Sequence, residues 1–258
     1  DHAFFLSLKR KPHKTAPRFT LTPLCALLMS ALIAPATQAA LLPSGNVEAT
    51  DPAYELDFTG DHKYQGGTVT FTQDEISFRG DAFEIAKDAA PTMLNGEGKI
   101  FFIELGHLTI GESTAPQAFK LVGNNIEIFI SDTSLTPTAQ STLDIKATGY
   151  VKLHGGSILN PSATQLVGEP PVSVTSQINI EAAEILLDGY IPGKAVIDAA
   201  DGHTISLTSK GNLSIKGDEA IKTNPNSKVI NLIAGGNTEI QGRIWTNSAL
   251  VTISGENV

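Results

Sequence analysis

The stretch that decides the fold is HTISLTSKGNLSIKG, residues 203–217, because it returns as KVINLIAGGNTEIQG at residues 228–242. Apolar residues alternate with polar ones in each half of this unit, and a short polar corner and a terminal glycine separate one half from the next. Period-two alternation is typical of strands with one buried face. The residues that recur 25 positions later are Ile205, Leu207, Ile215 and Gly217.

Units of the same kind run through most of the chain, at spacings between about 18 and 35 residues. Each unit has a strand, a polar corner, a second strand and usually a glycine. The paired apolar positions are Val69/Phe71 with Ile76/Phe78, Phe101/Ile103 with Leu108/Ile110, Phe119/Leu121 with Ile126/Ile128, Leu143/Ile145 with Val151/Leu153, Ile178/Ile180 with Ile185/Leu187, Ile205/Leu207 with Leu213/Ile215, and Ile230/Leu232 with Thr238/Ile240, after which Val251/Ile253 opens another.

This repeat predicts an all-β fold, a right-handed parallel β-helix (β-solenoid), preceded by an N-terminal signal-peptide helix. One coil alone leaves both backbone edges unpaired, whereas stacked coils satisfy each other's hydrogen bonds and bury a continuous core. A β-sandwich is the alternative, but it needs hairpin turns, and the chain offers few beyond Asp188-Gly189 and Asp201-Gly202.

Glycines and asparagines near the corners carry two further expectations. The glycines are expected where a tight corner needs positive φ, and the asparagines where side chains stack into ladders. The glycines are Gly80, Gly111, Gly155, Gly189, Gly217 and Gly242, and the asparagines are Asn124, Asn125, Asn179, Asn212, Asn231 and Asn237.

Two segments depart from the pattern. Residues 82–98 (AFEIAKDAAPTMLNGEG) have helical propensity, and residues 160–174 (NPSATQLVGEPPVSV) are rich in proline and small polar residues. Both are expected to project from corners of the rod, either as sites of specific contact or as insertions that the solenoid tolerates.

Residues 1–39 are expected to be a signal peptide. The uncharged apolar run LTPLCALLMSALIA, residues 21–34, follows a basic segment and is too short to span a bilayer comfortably. Thr37 and Ala39 place small residues where a signal peptidase inspects the chain, so cleavage is expected between Ala39 and Ala40. The basic residues ahead of the run are Lys9, Arg10, Lys11, Lys14 and Arg18.

The remaining chain, residues 40–258, is acidic and free of cysteine. Five of the 18 Lys and Arg and one of the 27 Asp and Glu lie in the leader, which leaves 13 basic and 26 acidic side chains and a formal charge of −13. This balance excludes nucleic acid as the expected partner. Because Cys25 lies in the leader, the fold is expected to hold without disulfides.

The leader, the acidic cysteine-free chain and the coil pattern together resemble the passenger domain of a type V autotransporter, or a related β-helical bacterial surface adhesin. The resemblance covers residues 40–258. It implies a C-terminal translocator β-barrel that lies outside this sequence, so the chain is expected to be the N-terminal part of a longer protein. Two-partner secretion adhesins are the alternative, since their NPNG-like turn resembles Asn224-Pro225-Asn226-Ser227, which departs at the fourth residue.

No enzyme activity, cofactor or metal is expected. The chain has no GxSxG element, and His62, His107, His154 and His203 lie on different coils. A pectate-lyase-like enzyme that acts on polysaccharides is the enzymatic alternative, because that chemistry also uses parallel β-helices. A groove of clustered carboxylates would favour it.

The expected function is therefore adhesion to a host-cell or matrix surface, or self-association, after export through the periplasm to the bacterial cell surface or beyond. One short motif bears on it. Arg79-Gly80-Asp81 directly follows a strand that is expected to end at Phe78, and the tripeptide is similar to the integrin-binding tripeptide. Its simpler interpretation is corner chemistry, because Gly-Asp also follows strands at Gly60-Asp61 and Gly217-Asp218.

Overall fold

The computed structural model describes residues 39–86, 89–110, 117–135, 141–154, 160–161, 177–189, 196–199, 204–217, 220–223, 229–246 and 250–258. The chain divides into two units, residues 1–38 and 39–258. The first unit, with the expected signal helix, lies outside the described residues. The second unit contains all of the described residues.

The described chain is built from strands, and its only helical element is a 3-10 turn at Gly60–His62. No described helix has the length and apolarity that a membrane span requires. The strands are β1 (Ala40–Leu41), β2 (Val47–Ala49), β3 (Ala53–Glu55), β4 (Gly67–Phe71), β5 (Glu75–Ile85), β6 (Thr92–Asn95), β7 (Ile100–Ile110), β8 (Gln117–Gly123), β9 (Asn125–Leu135), β10 (Ser141–Ala147), β11 (Tyr150–His154), β12 (Asn160–Pro161), β13 (Gln177–Ala182), β14 (Glu184–Gly189), β15 (Ile197–Ala199), β16 (Thr204–Ser209), β17 (Leu213–Gly217), β18 (Ile221–Thr223), β19 (Val229–Ala234), β20 (Thr238–Ile240), β21 (Ile244–Trp245) and β22 (Leu250–Ser254).

These strands stack as parallel sheets, which confirms the predicted parallel β-solenoid. Sheet A has the order β1-β3-β5-β7-β9-β11-β14-β17-β20, with β12 also paired to β9, and sheet B has the order β2-β4-β6-β8-β10-β13-β16-β19-β22. A shorter sheet C contains β15-β18-β21. From β1 to β11, successive strands of the chain enter sheet A and sheet B in turn, as a coiled chain requires.

The 25-residue repeat is realised as strand register. Ile205 pairs with Ile230 in sheet B, and Ile215 pairs with Ile240 in sheet A. Since the two copies lie on neighbouring coils, like residues stack on like residues. Each buried isoleucine or leucine contributes about 1.5–3 kcal/mol relative to its exposed state.

The prediction that residues 82–98 project from the rod is wrong, because most of this segment forms strands of the rod. Ala82 to Ile85 completes β5, and Thr92–Asn95 is β6, which pairs with β4 and β8. Thr92 and Leu94 face the core. Two inward residues are too few to show an alternation, so helix-forming neighbours obscured the strand.

Because β6 was not predicted, the position of Phe101 and Ile103 within their coil was also predicted wrongly. Phe101 and Ile103 lie in sheet A beside Ile76 and Phe78, and β7 continues without a corner to Ile110. They therefore follow β6 in their coil instead of opening a new one. Of the second departing segment, 160–174, only Asn160–Pro161 is described, as β12.

The three longest strands, β5, β7 and β9, each bend. In β5 the buried residues are Ile76 and Phe78 and then Phe83 and Ile85, so the alternation shifts by one between Phe78 and Phe83. The pairing with β7 steps over Asp81 at the same place. The bend lets one strand line two faces of the core.

Glycines at the corner after sheet A are required mainly by close approach of neighbouring coils. Gly217 has φ 101°, as expected, but Gly80, Gly189 and Gly242 do not have positive φ. A Cβ at Gly242 would overlap the carbonyl oxygen of Gly217, and one at Gly217 would overlap that of Gly189. Gly111 and Gly155 lie outside the described residues.

The predicted asparagine ladder is confirmed at one corner. The backbone N–H of Asn237 donates to Asn212 Oδ1 at 3.1 Å, and Asn257 Nδ2 donates to Asn237 Oδ1 at 2.7 Å. Elsewhere asparagine pairs with other polar residues: Thr148 Oγ1 donates to Asn124 Oδ1 at 2.8 Å.

Candidate functional site

The candidate site lies on the outer face of sheet A. The pleat of β7 turns Phe102 and Glu104 outward, and that of β9 turns Glu127 and Phe129 outward. Phe102 is in register with Glu127, and Glu104 with Phe129. Adjacent strands lie about 4.8 Å apart, so each ring has a carboxylate beside it across the strands and another two residues along. We call these four residues the aromatic–carboxylate square.

Both rings of this square are open to solvent. Phe102 is 42% exposed and Phe129 is 38% exposed. The inward neighbours Phe101 and Ile128 are buried, so the backbone beneath the rings is fixed by the core. Large apolar side chains held outward on a rigid sheet are a feature of binding surfaces.

Glu127 is held by a network of three residues from β11. The Tyr150 hydroxyl donates to Glu127 Oε1 at 2.9 Å, and His154 Nε2 lies 3.4 Å from Glu127 Oε2. Partial burial raises the pKa of Glu127, but the hydrogen bonds from Tyr150 and His154 and the charge of Lys152 outweigh it, and the pKa is lowered overall. The carboxylate is therefore ionised at neutral pH.

Tyr150 is shifted in the opposite sense. Burial, the hydrogen bond to Glu127 and the negative charge of Glu127 all raise the pKa of its hydroxyl. The hydroxyl thus stays protonated and donates to the carboxylate. The pair presents a fixed negative charge with a defined orientation.

A second feature adjoins the square at the bend of β5. Exposed carboxylates of Glu55, Asp57, Asp81 and Glu104 line a depression around Arg79. We call these four residues the acidic corner. Arg79 Nε lies 3.7 Å from Glu104 Oε2, and both side chains are largely exposed, so this ion pair contributes little to stability.

The depression of the acidic corner is shaped by the bend. The backbone N–H of Asp81 donates to Asp57 Oδ1 at 2.7 Å, which ties β5 to the preceding coil. Gly80 and Gly106 complete the depression. A Cβ at Gly80 would crowd the backbone of Leu56, so a larger residue would push the coils apart.

Arg79-Gly80-Asp81 is thus placed differently from the sequence expectation. The strand does not end at Phe78; it continues through the tripeptide to Ile85, and the tripeptide lies at the bend within β5. Arg79 and Asp81 are both exposed and both line the acidic corner. Integrin recognition by this motif stays a prediction.

The other predicted residues lie apart from the site. Ala39 and Ala40 are half-buried, and Ala40 begins β1, where it pairs with Tyr54. Of the histidines that the sequence places on different coils, His62 is exposed, whereas His154 is half-buried and belongs to the Glu127 network. The side chains of His107 and His203 lie outside the description.

A metal or cofactor site was not expected from the sequence. Among the residues that the structure describes, no group of three or more His, Cys, Asp or Glu is arranged to hold a metal ion.

Sequence reasoning missed the residues of the square and the Glu127 network. A signal was present in two strings, FFIE at 101–104 and IEIF at 126–129. In each string a phenylalanine occupies a position that alternation assigns to the outer face. Two such rings on neighbouring strands form an exposed apolar patch, which makes this face a candidate contact surface.

Comparisons with known proteins give no relative: no family model, no curated protein and no solved structure matches the chain.

Proposed function

We propose that residues 40–258 act as a contact module of an exported bacterial protein, an adhesin carried to the cell surface as an autotransporter-like passenger. The observation that carries this proposal is the aromatic–carboxylate square. It holds two exposed rings and two charged groups on a sheet whose backbone is fixed by a buried core. Such a pre-organised surface binds without ordering itself first.

The fold supports a role in contact at a distance. A parallel solenoid grows along one axis, so it displays its side faces over many coils. Residues 40–258 contain no cysteine, which suits a chain that crosses membranes unfolded and folds outside the cell. The leader supports export, and the two-partner route remains the alternative to the autotransporter route.

The acidic corner is a depression lined by clustered carboxylates around Arg79, which is the feature that favours the pectate-lyase-like alternative, so that enzyme stays the second candidate function. The Glu127 network, in contrast, favours binding over polysaccharide cleavage. A pectate-lyase-like enzyme requires a carboxylate groove and a proton donor or acceptor tuned near neutral pH. Glu127 has a lowered pKa and Tyr150 a raised one, so neither exchanges protons readily at pH 7. The same two groups are well suited to hold a fixed charge against a partner.

Adhesion of protein-coated beads to host cells and matrix-coated surfaces tests the proposal. Replacement of both rings, Phe102→Ser with Phe129→Ser, is expected to lower adhesion by about tenfold or more, because exposed aromatic anchors dominate contact energies. The matched control is Ile233→Ser, which removes an exposed apolar side chain (41%) from sheet B. Its adhesion is expected to stay within about twofold of the parent.

Equal adhesion of the ring variant and the parent, with both folded by circular dichroism, would remove the face of sheet A from the proposal. Equal losses in the ring variant and the Ile233→Ser control would show general stickiness instead of a site.

A further inference from the structure

We propose that the partner of this face is an extended protein segment with lysine or arginine at alternate positions. This inference rests on the proposed function and names the chemistry of its ligand. Three observations carry it: the charge of the acidic corner, the rings of the square, and the spacing of both along the strands.

The first observation is charge. The acidic corner has four exposed carboxylates, and Arg79 is the one basic residue that lines the same depression. Its pairing with Glu104 at 3.7 Å is loose and solvent-exposed. The depression therefore keeps a negative excess, in a chain whose formal charge outside the leader is −13. A cationic partner is attracted over a distance, and an anionic one is repelled.

The second observation is the pair of rings. An ammonium or guanidinium group is attracted to the face of an aromatic ring, and more strongly when carboxylates lie beside it. Phe129 lines the same depression as the acidic corner, and Phe102 lies diagonally across the square. The methylene stem of a lysine or arginine also packs well on an exposed ring. Rings and carboxylates thus favour the same side chains.

The third observation is spacing. In an extended chain, residues i and i+2 point to the same side, about 6.6 Å apart. Phe102 and Glu104 have this relation on β7, and so do Glu127 and Phe129 on β9. An extended peptide that lies along these strands places alternate side chains over a ring and a carboxylate in turn. A helix or a compact domain does not offer that period.

Other partners fit less well. A second copy of this chain carries the same negative charge and is repelled. Sulfated or uronic glycans are repelled for the same reason. A neutral glycan would use the rings but would leave the acidic corner without a counter-charge, and it is therefore an alternative outcome of the test.

The experiment is fluorescence anisotropy with the purified protein and labelled octapeptides. The probe is an alternating lysine–serine octapeptide. Its controls are the same peptide with acetylated lysines, a peptide with four lysines followed by four serines, and an alternating glutamate–serine peptide. We expect the alternating lysine peptide to bind, the block peptide to bind about threefold to tenfold more weakly, and the other two not to bind.

Variants of the protein locate the binding. Glu104→Gln with Asp81→Asn removes two carboxylates of the acidic corner and is expected to weaken binding by about tenfold. The matched control, Glu48→Gln with Glu181→Gln, removes two carboxylates from sheet B and is expected to change binding by less than about twofold. Phe102→Ser with Phe129→Ser is expected to weaken binding by about tenfold.

Equal losses in both charge variants would reduce the binding to general charge attraction and overturn the inference, as would equal affinity for the acetylated peptide. Binding of a neutral oligosaccharide such as cellohexaose, lost with the two rings, would replace the basic segment with a glycan. If the ring variant loses adhesion to cells and no cationic peptide binds, the inference fails and the contact surface stands. If the ring variant adheres normally, the proposed function fails first.

Discussion

The solenoid has two parts that differ in what fills the core. The aromatic half, residues 40–154, buries rings in edge-to-face, tilted and stacked contacts, and the aliphatic half, residues 177–254, buries mainly isoleucine, leucine and smaller aliphatic residues at the described positions. In the aromatic half, Phe71 and Phe101 lie 5.5 Å apart at 87°, and Phe78 and Phe101 lie 5.6 Å apart at 29°. The buried rings are Tyr54, Phe58, Tyr64, Phe71, Phe78, Phe83, Phe101 and Phe119.

The two halves differ as well in the length of their strands and in what their outer faces carry. In the aliphatic half, aliphatic side chains stack on each other in register, and the spacing between paired residues is 27 from Ile178 to Ile205, 25 from Ile205 to Ile230 and 21 from Ile230 to Val251. In the aromatic half, β5, β7 and β9 are 11 residues long, and the outward side of β7 and β9 carries the aromatic–carboxylate square. The candidate site therefore lies in the aromatic half, and the proposed function assigns contact with a partner to that half.

The largest expected effect is the loss of a ring from the centre of the aromatic half. Phe101 is fully buried and contacts both Phe71 and Phe78. Phe101→Ala should destabilise the fold by about 3–5 kcal/mol, because it leaves a cavity among rings that cannot collapse. Urea unfolding measures this. In the aliphatic half, Ile205→Val should cost only about 0.5–1.5 kcal/mol, and an equal cost for both would contradict the contrast.

The next effect concerns how closely the coils of the aliphatic half approach. Gly217→Ala meets a positive φ of 101° and the Gly189 carbonyl, whereas Gly98→Ala, in the aromatic half, meets a φ of 75° and open space. The left-handed backbone costs about 1–2 kcal/mol at both, and overlap adds about 1–3 kcal/mol at Gly217 alone. Similar thermal midpoints for the two variants would disprove tight contact at that corner.

An alkaline pH dependence is expected from Tyr64 in the aromatic half. Burial raises the pKa of its hydroxyl to about 12, and the hydroxyl donates to the Pro43 carbonyl at 3.1 Å. Since the folded pKa lies above the unfolded value of 10.0, this contribution is complete below pH 10 and is lost as the pH rises towards 12.

Unfolding measured from pH 8 to 12 checks this dependence. Tyr64→Phe should flatten the alkaline loss of stability, while at pH 8 it costs about 1 kcal/mol for the lost hydrogen bond. If the free energy of unfolding falls equally steeply with pH in the parent and in the variant, groups other than Tyr64 cause the alkaline loss of stability.

The smallest expected effect on stability comes from two buried threonines, and its sign differs between the two halves. Thr92 Oγ1 is the only buried side-chain polar atom among the described residues without a hydrogen-bond partner, whereas Thr238 Oγ1 donates to the Ser254 carbonyl at 3.3 Å. Thr92→Val should therefore stabilise the fold by about 1 kcal/mol. Thr238→Val should destabilise it by about 0.5–1.5 kcal/mol. Calorimetric midpoints that move in the same direction would contradict this assignment.

The sequence predicted the aliphatic half best, and the reason is physical. Ile178, Ile180, Ile205 and Leu207 alternate without exception and stack in register, so their period is visible in one dimension. In the aromatic half, the bend near Gly80 shifts the alternation within β5 by one, and β6 has only two inward residues, Thr92 and Leu94. That shift depends on how rings from three coils pack, which no local pattern records.

The candidate site was predictable only in part. Arg79 and Asp81 were identified as exposed residues near a corner, and they line the acidic corner. The square was missed because its residues come from two strands 25 positions apart, and their proximity follows from register. The Glu127 network depends in the same way on the pairing of β9 with β11.

Hydroxyl-radical footprinting of the protein coated on beads, with and without adherent cells, is the most direct test of whether the outer face of sheet A makes the contact. It compares exposed side chains of both halves in one sample: Phe102 and Phe129 at the site, and Trp245, which is 49% exposed, in the aliphatic half. We expect contact with cells to lower the oxidation of Phe102 and Phe129 severalfold and to leave the oxidation of Trp245 unchanged. Protection of Trp245 with unchanged oxidation of both phenylalanines would contradict it.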